Sequence, residues 1–432
     1  MKTIFVCMLL IPLLMASACS PVPVNNTNNK SVVYAQSELE RDTEPLVDPS
    51  QVEALVAGNT AFALNFYDEI NDVDGNLIFS PFSLSLALSM TLAGAEADTW
   101  AEMLDALSLQ AFGDEGHPAF NALLLAIEAS QAELHDESEG DTFQLNIANS
   151  TWGQSGFDFN QAFLDTLALQ YGAGIYTVDF KNEPEVARQA INAWVADETE
   201  EKIPDLIPQG AIDTLTRLVL ANAIYFNGSW LYPFEENDTT PAPFTLLDGS
   251  QTDVEMMHLP EERLGYMRQD NFQVVRLPYL SQDFSMILFV PDEGAFEAVE
   301  NALSSEELSG ILDGMRSVPV DLKMPKFNFE SSVSAPNPLK RLGMLSAFDP
   351  DLADFSGINA EQDLFISDVV HEATITVDEH GTEAAAATAV IMSLTSAPID
   401  EPISLVIDRP FIFAIQHQPS GTILFLGRVV QP

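Results

Sequence analysis

A single mixed α+β domain with more than one β-sheet is the fold that this 432-residue sequence predicts. Three observations carry it. Blocks of helical period come first, and strand-like blocks then alternate with helices to the C-terminus. The strand blocks lie far apart in sequence, which requires sheets built from non-consecutive elements. No Pro/Gly/Ser-rich linker divides the chain after about Val52, and no solenoid-length repeat is visible, so one large core is expected despite the length.

The N-terminus reads as an export signal. Met1 and Lys2 supply a positive charge, and residues 4–15 form an apolar run too short to span a bilayer comfortably. Ala16, Ser17 and Ala18 give small residues for cleavage, so residues 1–18 are a signal peptide. Cys19 follows at once and resembles the acylated cysteine of the bacterial lipobox. A lipid on Cys19 implies a membrane-anchored lipoprotein at the cell surface or periplasm; ordinary cleavage implies a secreted protein. Cys7 is the only other cysteine, so the mature chain has no internal disulfide. Residues 19–50 are Asn-, Ser-, Pro- and acid-rich without period and read as a flexible tether. Residues 51–432 form the folded domain.

Within that domain, Val52, Leu55, Val56, Phe62, Phe66 and Ile70 recur at helical spacing. Residues 72–76 are an Asp-Gly turn, with a weak hint of a calcium loop that lacks its remaining ligands. Leu77, Ile78 and Phe79 form a short strand closed by Ser80-Pro81, and residues 84–92 begin a buried helix. Helices are expected over 102–109 and 119–132, and strands over 142–152 and 215–226. A strand pair follows at 272–278 and 284–290, and a C-terminal hairpin at 411–417 and 422–430 turns through Gln418-Pro419-Ser420-Gly421.

Lys and Arg total 17 against 65 Asp and Glu, a formal charge of −48. Such a surface repels nucleic acid, heparin-like polyanions and anionic membrane faces, leaving a lipid as the only route to a bilayer. The motifs of serine hydrolases, zinc proteases and nucleotide-binding loops are absent, and the six histidines show no ligand spacing. No enzyme, cofactor or metal site is expected.

The unusual stretch is residues 377–398, Val-Asp-Glu-His-Gly-Thr-Glu-Ala-Ala-Ala-Ala-Thr-Ala-Val-Ile-Met-Ser-Leu-Thr-Ser-Ala-Pro. By propensity 383–389 is helical, but alone it would be marginal. With period two, Thr382, Ala384, Ala386, Thr388, Val390 and Met392 share an uncharged face of small or apolar groups. Such a strand could enter the middle of a sheet. Gly381 supplies hinge freedom at its root. A low-complexity linker is the bland alternative.

This segment resembles the reactive-centre hinge of serpins, and other blocks agree in order. Asn76-Leu77-Ile78-Phe79-Ser80-Pro81-Phe82-Ser83, Ala221-Asn222-Ala223-Ile224-Tyr225-Phe226-Asn227-Gly228-Ser229-Trp230, Lys323-Met324-Pro325-Lys326-Phe327 and Arg409-Pro410-Phe411 are similar to serpin blocks. The likeness runs from about residue 52 to the end. It implies three β-sheets, about nine surrounding helices and an exposed reactive-centre loop over about 379–400. It also implies a monomer that traps a target serine protease covalently as a suicide substrate.

Residue by residue, the resemblance implies a hinge of Glu379, Gly381, Thr382, Ala384, Ala385, Ala386, Ala387 and Thr388. It implies a shutter of Ser80, Ser83, Asn222 and His371, and a breach at Trp230. Counting on from Gly381 places the reactive bond between Thr395 and Ser396, with Leu394 as the alternative P1. A Thr P1 suits elastase-like or subtilisin-like proteases. The alternatives are a non-inhibitory serpin acting as a binding or structural protein, and a cross-class inhibitor of cysteine proteases. Pro336 and Pro338 depart from the family pattern in a segment that is usually helical.

Overall fold

The computed structural model describes residues 32–113, 115–132, 143–360, 364–382 and 401–432. The first half of the chain runs β1 (Val33–Ala35), α1 (Pro49–Ile70), β2 (Leu77–Phe79), α2 (Pro81–Leu92), α3 (Ala97–Ala106), α4 (Gly116–Ala132), β3 (Phe143–Gln154), α5 (Gln161–Tyr171), β4 (Ile175–Val178) and α6 (Pro184–Glu198). It continues β5 (Leu218–Ser229), β6 (Thr240–Thr245), β7 (Gln251–Arg268), β8 (Phe272–Pro278), β9 (Phe284–Pro291), α7 (Phe296–Glu300) and α8 (Ser305–Gly314). Then come β10 (Arg316–Pro325), β11 (Phe327–Ser334), α9 (Pro336–Arg341), β12 (Ile366–Val377), β13 (Gly381–Thr382), β14 (Ile403–Val406), β15 (Phe411–His417) and β16 (Thr422–Val429). Nine α-helices therefore stand among the described residues.

One sheet has seven strands in the order β1-β4-β3-β5-β13-β12-β11. Its central strand β5 is buried on both faces almost throughout, as its mostly apolar run, interrupted by Asn222, requires. A second ladder has the path β14-β10-β7-β8-β9-β15-β16-β2, with β6 on β7. The long β7 serves two groups of strands: its first part pairs β6 and its last residues pair β8. Its partner β10 shifts register between Val320 and Leu322. Two of the three expected sheets are thus joined by shared strands into one hydrogen-bonded ladder. Helix α2, with all twelve residues buried, packs against β3, β5 and β16 and fills the core under the seven-stranded sheet.

Several expectations need correction. The segment 19–50 is not a free tether over its described part. Strand β1 pairs antiparallel with β4, and Arg41 bonds Asn121 and Glu128 on α4 at 2.8 Å each. Ser37 donates to Asp165 on α5 at 2.6 Å. Backbone pairing, the Tyr34–Tyr176 ring contact and these polar side chains hold the arm, and no apolar period runs along it for hydropathy patterning to show. Helix α3 begins before residue 102, and β5 begins after residue 215. There Asp213 accepts from the Leu215 and Thr216 amides and makes a turn, at 2.7 and 3.1 Å. Pro336 and Pro338 fall in the first turn of α9, where no intrahelical donor is needed. The carbonyls of Val73 and Gly75 in the Asp-Gly turn accept from Arg428, so they are committed to a guanidinium.

Candidate functional site

The turn from β12 to β13 is built by Asp378. Its Oδ1 accepts from the amides of His380 at 2.8 Å and Gly381 at 3.2 Å, and its own amide donates to the Gly381 carbonyl at 3.0 Å. This closes a hairpin with Val377 opposite Thr382. Across β13, Gly381 and Thr382 pair with Ser229 and Gly228 of β5. A Cβ on Gly381 would lie 2.1 Å from the Gly228 carbonyl oxygen. Close approach of two backbones therefore selects glycine here, and its φ is not in the left-handed region that the hinge argument invoked.

Glu379 and Thr382 are buried, at 3% and 1% exposure, so the exposed loop cannot begin at 379. The Glu379 carboxylate meets Lys326 Nζ at 2.6 Å and accepts from Thr239 Oγ1 at 2.6 Å. Burial alone would raise this carboxyl, but those hydrogen bonds outweigh it and hold it below the ordinary glutamate value. Thr382 Oγ1 lies 2.8 Å from the Tyr279 hydroxyl. Trp230 stacks on Tyr279, with ring centroids 4.6 Å apart. Its Nε1 donates to the Asp378 carbonyl at 3.0 Å, and its amide donates to the His380 carbonyl at 2.8 Å. Trp230 thus grips the hinge turn directly rather than serving as a plain core aromatic.

Deeper in the sheet, Ser80, Ser83, Asn222 and His371 stand in one hydrogen-bonded cluster. Ser80 caps α2, its side chain accepting from the Ser83 amide at 3.2 Å with Pro81 in the first helical position. Sequence-distant strands complete the cluster, because Asn149, Asn222 and His371 lie side by side in register on β3, β5 and β12. His371 Nε2 accepts from the Ser80 amide at 2.9 Å, and Nδ1 bonds Asn222 Oδ1. Asn222 Nδ2 donates to Ser83 Oγ at 2.7 Å and to Asn149 Oδ1. Burial pushes the imidazole down to about 3. The neutral ring with its proton on Nδ1 fits both partners.

Sequence reasoning missed Asn149, Tyr279, Lys326 and Thr239. Asn149 stands opposite Asn222, but β3 carries several polar residues, so nothing in its own strand singled it out. Lys326 lay in a block that carries the family resemblance but was given no role, and Tyr279 and Thr239 had no signal. Ala384, Ala385, Ala386, Ala387, Thr388, Leu394, Thr395 and Ser396 lie outside the described residues, as does Cys19.

Strands β5 and β12 pair in parallel over seven registered pairs and their ladder stops at Ile224 opposite Ala373. Beyond that point they diverge, and β13 stands between their ends. The site is therefore a sheet already parted at one end by two residues. A family model described as "Serpin (serine protease inhibitor)" matches residues 57–432.

The chain belongs to the serpin family. It is 39% identical over 391 residues to a leukocyte elastase inhibitor from Bos taurus, covering 88% of this chain and 100% of the relative. It is 36% identical over 415 residues to an uncharacterized serpin-like protein from Thermococcus kodakarensis, covering 96% and 94%. Among solved structures, maspin gives a TM-score of 0.80 at 25% identity, over 89% of this chain and 100% of that one. The thermophilic serpin tengpin in its native state gives 0.78 at 26%, over 93% and 100%. The serpin fold is thus shared across the chain from α1 to the C-terminus.

Proposed function

We propose that this serpin is a suicide inhibitor of serine proteases that traps its target by inserting its loop between β5 and β12. The observation that carries this reading is β13: in the uncleaved chain, Gly381 and Thr382 already occupy the first rungs of the site that a longer strand would fill. Residues 383–402 connect that wedge to β14, which pairs with β10 in the other ladder. Cutting the connection would free the hinge side to zip inward while β14 stays in place.

The chemistry is acyl transfer. The protease serine Oγ bonds to the carbonyl carbon of Thr395, the Thr395–Ser396 peptide bond breaks, and the Ser396 amine leaves with a proton. Insertion of residues from about 383 to 392 then drags the acylated protease along the sheet. A displaced catalytic group stops deacylation, because small misplacements cost orders of magnitude in rate. The small residues Ala384, Ala385, Ala386 and Ala387 favour insertion over a non-inhibitory role. The bovine relative's name and the Thr P1 both favour elastase-like targets.

The protein acts as a non-enzymatic monomer without a cofactor. It is exported through residues 1–18 and anchored by lipid on Cys19; no helix of the described residues is long and apolar enough to cross a membrane. Cys19→Ala should move it from the membrane fraction to the medium or periplasm.

Incubation with an elastase-like protease should give a 1:1 complex that survives SDS, and a released peptide beginning at Ser396. A peptide beginning at Thr395 would move P1 to Leu394. Complete cleavage with full recovery of protease activity would remove the inhibitor reading.

A further inference from the structure

Where the N-terminal arm crosses α4, a cavity of about 180 Å³ lies between α2, α4, β3 and the end of α5. Most of its wall is apolar: Met90 on α2, Leu124 and Ile127 on α4, and Leu145 and Ile147 on β3. Asn149 shares the inner face of β3 with Leu145 and Ile147 by strand alternation, and Arg41 of the arm also lines the space. Other polar groups around it are engaged. The Tyr171 hydroxyl lies 2.6 Å from His117 Nδ1, and Gln131 Oε1 accepts from the Leu145 amide at 3.4 Å. Glu128 takes both of its bonds from Arg41 Nη1, at 2.8 and 3.1 Å.

Two donors are left over. Arg41 Nη2 and Asn149 Nδ2 are buried and have no hydrogen-bond partner among the described residues. Neither is free to turn away and find one. Asn121 holds the Arg41 fork through Nε and Glu128 holds it through Nη1. The Asn149 amide is fixed by Ser83 and Asn222, which both donate to its Oδ1. Buried donors in native proteins are nearly always paired, so two beside one cavity call for an acceptor within it. An ordered water needs two to four polar partners, and most of this wall offers none. An anion gains little, because Glu128 already balances the guanidinium and the chain carries a formal charge of −48. A cavity of about 150 Å³ holds benzene, so this one suits a body of that size with one small polar group.

We propose that this cavity binds a small uncharged carbonyl compound, such as a ketone or ester. Its oxygen accepts from Arg41 and Asn149, and its apolar body packs among Met90, Leu124 and Ile127. One amide then serves two neighbours, since the Oδ1 of Asn149 belongs to the cluster at His371 while its Nδ2 holds the ligand. The site stands on the geometry of the uncleaved chain and does not depend on the inhibitor reading.

Titration of acetophenone into the full chain, followed by the NMR signal of the Met90 ε-methyl, tests the site; Met90→Leu assigns the signal. A saturable Met90 shift is expected, with a higher melting temperature when the ketone is bound. Ethylbenzene keeps the ring and the length but lacks the oxygen, and should bind about tenfold more weakly or worse, because it leaves both donors unpaired. Benzoate should bind no more tightly than acetophenone. Ala173→Phe, which fills the cavity from beyond α5, should abolish the Met90 response. Asn149→Asp keeps the oxygen that Ser83 and Asn222 need and removes the donor, so it should weaken acetophenone by about tenfold. If that variant fails to fold, the ketone and the hydrocarbon compared in the parent chain decide the same point. No saturable shift would mean that the cavity holds water only and would overturn the proposal. So would equal affinity for ethylbenzene, tighter binding of benzoate, or a Met90 response that survives in Ala173→Phe.

Discussion

His371 shows how one side chain couples the resting sheet to pH. The tautomer set by Ser80 and Asn222 leaves no room for a second ring proton, because Nε2 already accepts the Ser80 amide. Its value is pushed down to about 3 by burial, against about 6.5 in an unfolded chain. Between those values the unfolded state binds the extra proton, so stability is complete above about pH 6.5 and falls as pH drops toward 3. Each such histidine contributes a slope of about 1.4 kcal/mol per pH unit in that window. His117 and His417, each pushed to about 4 by burial, add to it. Urea unfolding of His371→Gln should therefore show a slope shallower by about 1.4 kcal/mol per unit between pH 4 and 6.5. An unchanged slope would mean that His371 is not held neutral.

Thr382 makes a second case at the same scale. Strand parity marked it as the first inward residue, and it is buried against Tyr279 before any cleavage. Thr382→Arg must therefore disturb the intact protein as well as insertion. It should cost the uncleaved chain about 1–3 kcal/mol through the lost hydrogen bond and displaced hinge. It should also turn the inhibitor into a substrate, cleaved at a normal rate but releasing active protease. Glu383→Arg, on the alternate face by parity, is the control. Equal melting temperature and equal stoichiometry of inhibition for the two variants would contradict this placement.

At the scale of elements, the β13 wedge and the docked arm separate what sequence patterning could and could not show. The strands at Leu77, Phe272 and Phe411 were legible because their apolar runs match their burial. The grouping of Ser80, Ser83, Asn222 and His371 was legible only through the family resemblance, since these residues come from α2, β5 and β12, far apart in sequence. The docking of 32–48 was not, since it rests on the three-residue pairing of β1 with β4 and on Ser37, Arg41 and Asp42 meeting α4 and α5, and no periodicity encodes such contacts. Nor could a two-residue strand announce itself, because Gly381 and Thr382 are paired by the divergence of β5 and β12 rather than by propensity. Gly381→Ala tests that element directly. The added Cβ would meet the Gly228 carbonyl oxygen, so β13 should unpair at a cost of about 1–3 kcal/mol. Faster amide exchange at Thr382 would accompany the loss. Unchanged protection there would show that the wedge does not depend on the close approach.

Across the whole molecule, core packing and charge act against each other. The main apolar core runs beneath the seven-stranded sheet and through the second ladder, a smaller one holds Trp152, Phe180 and Ile191, and no cysteine stands among the described residues to cross-link either. The surface meanwhile carries a formal charge of −48, whose self-repulsion opposes the compact state. Raising salt from 0.1 to 1 M shortens the screening length from about 10 to about 3 Å, so the melting temperature should rise with sodium chloride. A fall would place the dominant charge effect in specific ion pairs instead. The fold class was readable at this scale because helix blocks, strand blocks and family motifs agree along the chain. The union of two sheets through β7 was not, because an 18-residue strand with mixed burial has no single period.

The central claim is that the cut loop enters the sheet between β5 and β12. Full insertion must break their seven registered pairs, including the one that joins Asn222 to His371, and replace them with ladders on both sides of a new strand. About ten added backbone bonds at about 1 kcal/mol each, at about 2 °C per kcal/mol for a large domain, correspond to a rise of about 20 °C. The decisive measurement is thermal melting of the chain nicked within 383–400 by a non-target protease, beside the intact chain. A nicked form that melts about 20 °C higher is the predicted result, and one that melts at or below the intact temperature would contradict insertion.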